Sequence, residues 1–286
     1  MIFNPEYEIA PAKLNLFLHI TGKRQDGYHL LESLVVFTDI ADHVRITATG
    51  QTDFQVTGSF AHLTGAMEHN LVYRAYQAYE SAIQRDLKTV LSLEKNIPVG
   101  AGLGGGSSDA AAALRLLHRL YGSTKIDIEK MALTLGADVP VCLQTRAQIM
   151  RGVGEKIHTL STFPRLPVLM IWPDVICETA SVFKALSFTP APPVSIPNKF
   201  ETADEVIGFL AETRNDLEKT AMNICPAIQT VLEEMRAQKG IRLARMTGSG
   251  SACFGICDDF DVAEHAKSYL GKKYPSWWCH AGYINP

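Results

Sequence analysis

The segment Lys13-Leu-Asn-Leu-Phe-Leu-His-Ile20 alternates, with Leu14, Leu16, Leu18 and Ile20 on one side and Lys13, Asn15, Phe17 and His19 on the other. A period of two predicts a strand with one face on a core. The polar, glycine-bearing stretch 21–29 reads as a loop, and 34–38, 44–49 and 54–57 read as further strands joined by short polar turns. The spacing of Leu71, Ala75, Ala78, Tyr79 and Ala82 predicts a helix over 70–83. A strand over 90–94 follows, then a glycine-rich run and an alanine-rich helix over about 108–121. Asp127 is placed to cap a short helix ending near Gly136. Residues 139–144 and 149–160 read as strands, the latter pair around a glycine turn.

Beyond residue 160 the order simplifies to a strand at 167–172, a helix at 179–186, a proline-rich connection at 189–197 and two or three helices over 203–238. Strands at 243–247 and 252–257 then flank Gly248-Ser-Gly-Ser251, before a helix at 261–272 and a last strand at 277–284. With the extra helices set aside, this is β-α-β-β-α-β, the ferredoxin-like order. The chain therefore reads as α+β in two lobes, 1–160 and 161–286, with no internal repeat and no low-complexity tract.

Composition narrows the function classes. With 286 residues, 47% of them hydrophobic, the chain can bury one large or two medium cores. A net charge of -3 and the lack of any long lysine and arginine block give no electrostatic reason for a nucleic-acid partner. No apolar stretch approaches the length of a membrane span, and the N-terminal residues carry acids and a proline instead of a basic region and an apolar run. A cytoplasmic protein with no membrane partner is the expectation. Six cysteines (Cys142, Cys177, Cys225, Cys253, Cys257 and Cys279) form no C-x-x-C pair, which argues against a zinc ribbon or redox dithiol and for buried free thiols in a reducing compartment.

The candidate chemistry centres on the glycine run. Gly100, Gly102 and Gly105 satisfy G-x-G-x-x-G. A dinucleotide fingerprint needs a strand running directly into the loop and an acid about twenty residues on, at the end of a second strand. Here Lys-Asn-Ile-Pro-Val intervenes after Glu94, Pro98 cannot join a central ladder, and Asp127 opens a helix. A Walker A loop needs Gly-Lys-Ser/Thr, whereas Gly106 is followed by Ser107. A phosphate cradle of another kind survives both failures. Glycines let backbone N–H groups approach an anion, and the helix beyond them carries partial positive charge at its start. Ser107 and Ser108 can cap that helix or donate to a phosphate oxygen, and Asp109 in the first turn reads as structural.

Pro98-Val-Gly-Ala-Gly-Leu-Gly-Gly-Gly-Ser-Ser108 closely resembles the nucleotide motif of the galactokinase, homoserine kinase, mevalonate kinase and phosphomevalonate kinase (GHMP) superfamily. Ala10-Pro-Ala-Lys-Leu-Asn-Leu16 and Met246-Thr-Gly-Ser-Gly-Ser-Ala252 resemble its other two motifs, in the same order. Within the superfamily, PAKLNLFLHITGKRQDGYH, GLGGGSSDAA and GADVP are most similar to the kinases of the non-mevalonate isoprenoid route that act on a cytidine diphosphate methylerythritol. The resemblance implies ATP as co-substrate, Mg²⁺ as its companion with no protein ligands assigned, and phosphorylation of a hydroxyl of that acceptor. It also implies a nucleotide lobe like ribosomal protein S5 domain 2, packed on a ferredoxin-like lobe with the active site in the cleft between.

The same resemblance implies residue roles. Lys13 stands at the reacting hydroxyl and Asp138, in Gly136-Ala-Asp-Val-Pro140, is the carboxylate that accepts or orients its proton. ATP falls to Pro98, Val99, Gly100, Ala101, Gly102, Leu103, Gly104, Gly105, Gly106, Ser107 and Ser108. Lys95, just upstream, is placed either to reach the nucleotide or to lie on the surface. Asn15, on the face of Lys13, holds the substrate. Tyr28, His29, Thr179 and Phe183 match positions that stack on and read the cytosine, and Gly248 lines the site near the acceptor. Two rivals stay open: a superfamily kinase for homoserine or mevalonate, and a non-catalytic nucleotide- or RNA-binding protein. A small uncharged acceptor would not require Tyr28, His29 and Phe183, and the acidic balance with Lys13 and Asp138 disfavours the second.

Overall fold

The computed structural model describes residues 6–122 and 126–285. Its strands are β1 (Glu6–Lys23), β2 (His29–Ala48), β3 (Asp53–Thr57), β4 (Thr89–Glu94), β5 (Gln148–Gly152), β6 (Lys156–Thr159), β7 (Leu166–Trp172), β8 (Ile241–Met246), β9 (Cys253–Cys257) and β10 (Trp278–Ile284). Its helices are α1 (Leu71–Ile83), α2 (Gly105–Tyr121), α3 (Ile128–Leu135), α4 (Thr179–Ala185), α5 (Ala203–Ala211), α6 (Glu218–Ile224), α7 (Ala227–Arg236) and α8 (Phe260–Lys273). Among the described residues no helix is long and apolar enough to cross a membrane. The described residues form two compact units, one from those within 6–12, 40–99, 104–122 and 126–145, the other from those within 13–39, 100–103 and 146–285.

In the first unit β4 is central. It pairs antiparallel with residues 43–48 of β2 and parallel with β3, and its Thr89, Leu91 and Leu93 are buried at alternate positions. Helices α1, α2 and α3 pack on one another. Asn70 caps α1 by accepting from the Val72 N–H at 3.0 Å, and Asp127 caps α3 by accepting from the Lys130 N–H at 3.0 Å, as their residue types predict. Helix α2 buries an unbroken run from Ser108 to Leu114, because its small alanines admit close neighbours.

In the second unit β7, β8, β9 and β10 form an antiparallel sheet in the order β10-β7-β9-β8. Numbered within the β-α-β-β-α-β unit, that order is 4-1-3-2: β7 and β8 run parallel with β9 inserted between them, the split arrangement of ferredoxin-like folds. The core under this sheet includes Leu169, Ile171, Val182, Ile228, Val231, Leu232, Met246 and Leu270.

Three sequence expectations are corrected. Strand β1 is buried on both faces over residues 10–20, because the polar-reading face is also covered: the Phe17 ring meets Phe209 at 5.7 Å and His19 accepts from the Arg214 N–H at 3.2 Å. Residues 34–38 and 44–48 belong to one long strand, β2, whose mid-strand acids Asp39 and Asp42 mimic a turn. Both are satisfied by distant partners, Asp39 by the Tyr283 N–H at 3.0 Å and Asp42 by the Ile97 N–H at 2.8 Å. Residues 140–143 form a 3-10 turn instead of a strand. Pro140 has no N–H for a ladder, and the Val139 N–H already donates to the Gly136 carbonyl at 3.1 Å.

Candidate active site

The three motifs meet in the second unit. The Lys13 N–H donates to the Leu103 carbonyl at 2.8 Å, and the Ala252 N–H donates to the Ala101 carbonyl at 2.8 Å. The first half of the glycine loop is thus held between β1 and the segment joining β8 to β9. Gly102 has φ +83° and lies so close to that segment that a Cβ would stand 2.7 Å from the Gly250 carbonyl oxygen and 2.9 Å from that of Thr247. Only glycine meets both demands.

Lys13 and Asn15 share a buried face of β1, with exposures of 2% and 1%. The Lys13 ammonium donates to Asn15 Oδ1 at 2.9 Å, and Asn15 Nδ2 donates to Ser33 Oγ at 2.8 Å. Asn15 is also fixed through its N–H, which donates to Thr247 Oγ1 at 2.8 Å. At Gly248, with φ +56°, a Cβ would stand 3.1 Å from the Gly102 carbonyl oxygen and 3.5 Å from Asn15 Oδ1, and the Gly248 carbonyl accepts from Asn215 Nδ2 at 2.8 Å.

The second half of the loop belongs to the first unit. Gly100, Gly102 and Gly104 all have φ between +64° and +83°, so left-handed residues alternate until α2 begins at Gly105. The helix starts two residues before the first serine, so Ser107 and Ser108 lie inside its first turn and do not cap it. Gly104 offers no side-chain cap, and Ser108 Oγ is buried without a hydrogen-bond partner among the described residues. An α-helix leaves its first N–H groups unsatisfied, so this N-terminus fits an anion.

Lys95 is not a surface cation. It is 2% exposed, with its ammonium against Asp42 Oδ2 and 2.7 Å from Asp109 Oδ2. Asp109 is structural, as its position suggests, but through this ion pair more than through the helix dipole. Burial pushes the Asp109 carboxyl well up, with Lys95 opposing, because two acids share one cation in a dry site. Gly105 packs directly over the group: a Cβ there would stand 2.9 Å from Lys95 Nζ.

Asp138 occupies the turn after α3, where Gly136 ends the helix and the Val139 N–H closes back on the Gly136 carbonyl. It is half-buried, between buried Leu135 and buried Val139.

The aromatic positions also assemble in the second unit. The His29 ring lies 5.1 Å from that of Phe183, tilted by 31°, while Tyr28 beside it is 65% exposed. Burial, and then the nearby Lys23 charge, lower the His29 pKa below its ordinary value. Thr179, the first residue of α4, pairs its hydroxyl with Ser249 Oγ at 2.8 Å, tying the helix that carries Phe183 to the third motif.

Asp42, Ser33, Thr247, Ser249 and Phe188, whose ring meets His29 at 5.2 Å, escape the sequence reading. Thr247 and Ser249 flank Gly248 within a recognised motif, so proximity to it was a usable signal. Asp42 had none beyond being an acid between apolar positions.

The family profile for "GHMP kinases N terminal domain" matches residues 70–146, and that for "GHMP kinases C terminal" matches 198–276. Proteins named 4-diphosphocytidyl-2-C-methyl-D-erythritol kinase are similar along nearly the whole chain. The one from Paracoccus denitrificans is 44% identical over 98% of this chain and 97% of its own. The one from Agrobacterium fabrum is 41% identical over 96% and 94%. A crystal structure of 4-(cytidine 5'-diphospho)-2C-methyl-D-erythritol kinase superposes with a TM-score of 0.80 at 34% identity, covering 98% of this chain and 100% of that one. Homoserine kinase from Cytophaga hutchinsonii shares the fold, with a TM-score of 0.69 at 15% identity over 98% and 95%. With both family domains matched in chain order and relatives at 41–44% identity, the chain belongs to the GHMP kinases, ATP-dependent small-molecule phosphotransferases, in their group of 4-diphosphocytidyl-2-C-methyl-D-erythritol kinases.

Proposed function

We propose that this kinase moves the γ-phosphoryl group of ATP onto a hydroxyl of 4-diphosphocytidyl-2-C-methyl-D-erythritol, giving the 2-phosphate and ADP in the non-mevalonate isoprenoid route. The observation that carries the phosphoryl-transfer chemistry is the uncapped start of α2, entered through alternating left-handed glycines. Its N–H groups and the loop Pro98–Ser108 take the triphosphate. The names of the relatives support the choice of acceptor.

Phosphoryl transfer asks the protein for positioning and charge stabilisation more than for covalent chemistry. Lys13 places a buried positive charge at the reacting hydroxyl, held in direction by Asn15. Asp138 accepts or orients the hydroxyl proton as the new P–O bond forms. Tyr28 and Phe183 hold the cytosine by stacking, His29 reads its edge as a neutral imidazole, and Thr179 and Gly248 complete the acceptor side. Mg²⁺ arriving on ATP would neutralise phosphate charge. Such an ion keeps several waters and its phosphate ligands, so it needs few ligands from the protein. The Ser107 hydroxyl is the group that would reach it. The described cysteines are free thiols, which fits activity in the reducing cytoplasm.

A substrate panel tests the reading. Purified enzyme with ATP should phosphorylate the cytidyl acceptor and leave mevalonate and homoserine untouched. Turnover of either small acceptor in preference would overturn the substrate, and nucleotide binding without any phosphorylation would overturn the kinase assignment.

A further inference from the structure

The cluster of Asp42, Lys95 and Asp109 takes no part in the chemistry above, yet it is buried and charged, with all three side chains at 3% exposure or less. We infer that it is a buckle across the ends of the glycine loop, which makes the three residues positioning residues for the nucleotide phosphates; this rests on the loop binding ATP as proposed.

Lys95 stands at the entrance of the loop and Asp109 is the fifth residue of the helix that leaves it, just past its first turn. Their contact, 2.7 Å across a separation of fourteen residues, closes the chain on itself. Asp42 fixes this closure to a rigid reference. It belongs to β2, whose next six residues pair with β4. Its Oδ1 accepts from the Asn96 N–H at 2.5 Å and the Ile97 N–H at 2.8 Å, while Oδ2 meets the Lys95 ammonium. The Lys95 backbone is held as well, with its N–H on the Thr57 carbonyl at 2.7 Å and its own carbonyl accepting from the Phe60 N–H at 3.0 Å. Both loop ends are therefore referred to one strand.

Stability alone is a poor reason for this arrangement. A buried ion group is often no better for stability than well-packed apolar side chains, and here two carboxylates share one ammonium. What charges add over apolar packing is direction: Nζ must point at both oxygens, which sets the distance between loop entrance and helix start. A loop held in its bound span loses less conformational freedom when ATP binds. The same pairing keeps the Lys95 ammonium from serving as a phosphate ligand.

The test is a split between Michaelis constants. In D109N and D42N, KM for ATP should rise by about 10- to 100-fold, the scale of loss when a small remote displacement misplaces a reacting group. KM for the cytidyl acceptor should stay within about twofold, since its own contacts are intact. A lowered melting temperature with an unchanged KM for ATP would show a merely structural cluster and overturn the inference. The unmodified enzyme gives a second reading that does not depend on variants folding. With nitrogen-labelled lysine and ADP as the probe, the Lys95 Nζ signal should keep its position and its slow hydrogen exchange. A large shift on ADP addition would mean that the amine swings onto the phosphates, and the buckle would fall. If the enzyme phosphorylates no acceptor but binds ADP with Lys95 unmoved, the functional reading falls and the buckle stands.

Discussion

Lys13 and Asn15 lie two residues apart on one buried face of β1, and the lysine ammonium donates to the asparagine side-chain carbonyl at 2.9 Å. Lys13→Met removes the charge and keeps the stem. In steady-state assays kcat should fall by about 100- to 1,000-fold, the range seen when one donor to a developing anion is lost. KM for ATP should hardly move. A change confined to KM would place the lysine in ground-state binding only.

Asp138 lies in a closed turn and is half-buried, so Asp138→Asn should fold normally by circular dichroism. Its kcat should drop by about 100- to 10,000-fold, the usual contribution of a positioned acid or base. Titration with ADP should give unaltered affinity. Retention of full kcat would remove Asp138 from the reaction.

Tyr28 and Phe183 are proposed to stack on the cytosine. Either residue changed to alanine should raise KM for the cytidyl acceptor by about 5- to 150-fold, corresponding to 1–3 kcal/mol of base stacking. KM for ATP serves as the internal control. Equal losses toward both substrates would take the base away from these rings.

Acid should weaken the acceptor side. Burial, with Lys23 nearby, lowers the His29 pKa from 6.5, so at pH 7 the ring is neutral and one nitrogen accepts a hydrogen bond. As pH falls through that lowered value the imidazolium forms, the acceptor is lost and KM for the cytidyl substrate should rise. The sign for stability is the same, because the fold favours the neutral ring and protonation on the acid side works against it. A pH series comparing the wild type with His29→Asn checks this: the variant's acid-side KM should be flat, and an equal acid-side rise in both would assign the titration elsewhere.

Gly102→Ala forces a β-carbon into a left-handed position and against two carbonyl oxygens at 2.7 and 2.9 Å. The backbone strain alone is worth about 1–3 kcal/mol, and the collision adds to it. A clear fall in melting temperature with a raised KM for ATP is expected. A variant with wild-type melting and ATP affinity would mean that the loop adapts freely at this point.

The local pattern of the chain determined most elements and their order. Periods of two and 3.6, the capping Asn70 and Asp127, and the glycine run are short-range features, and the forces that express them act within a few residues. The β-α-β-β-α-β order was legible for the same reason, and three separated motifs sufficed to name candidate residues. Tertiary structure decided what neighbours make of those residues. β1 reads as half-polar, but Phe209 and Arg214, about two hundred positions away, cover the second face. Asp39 and Asp42 read as a turn until their long-range partners satisfy them within a strand. Lys95 reads as a surface cation or a nucleotide contact, but acids at 42 and 109 bury it, because a charge is tolerated in a dry interior only where opposite charge is brought to meet it. No local pattern announces such a meeting, since the partners share neither a period nor a turn.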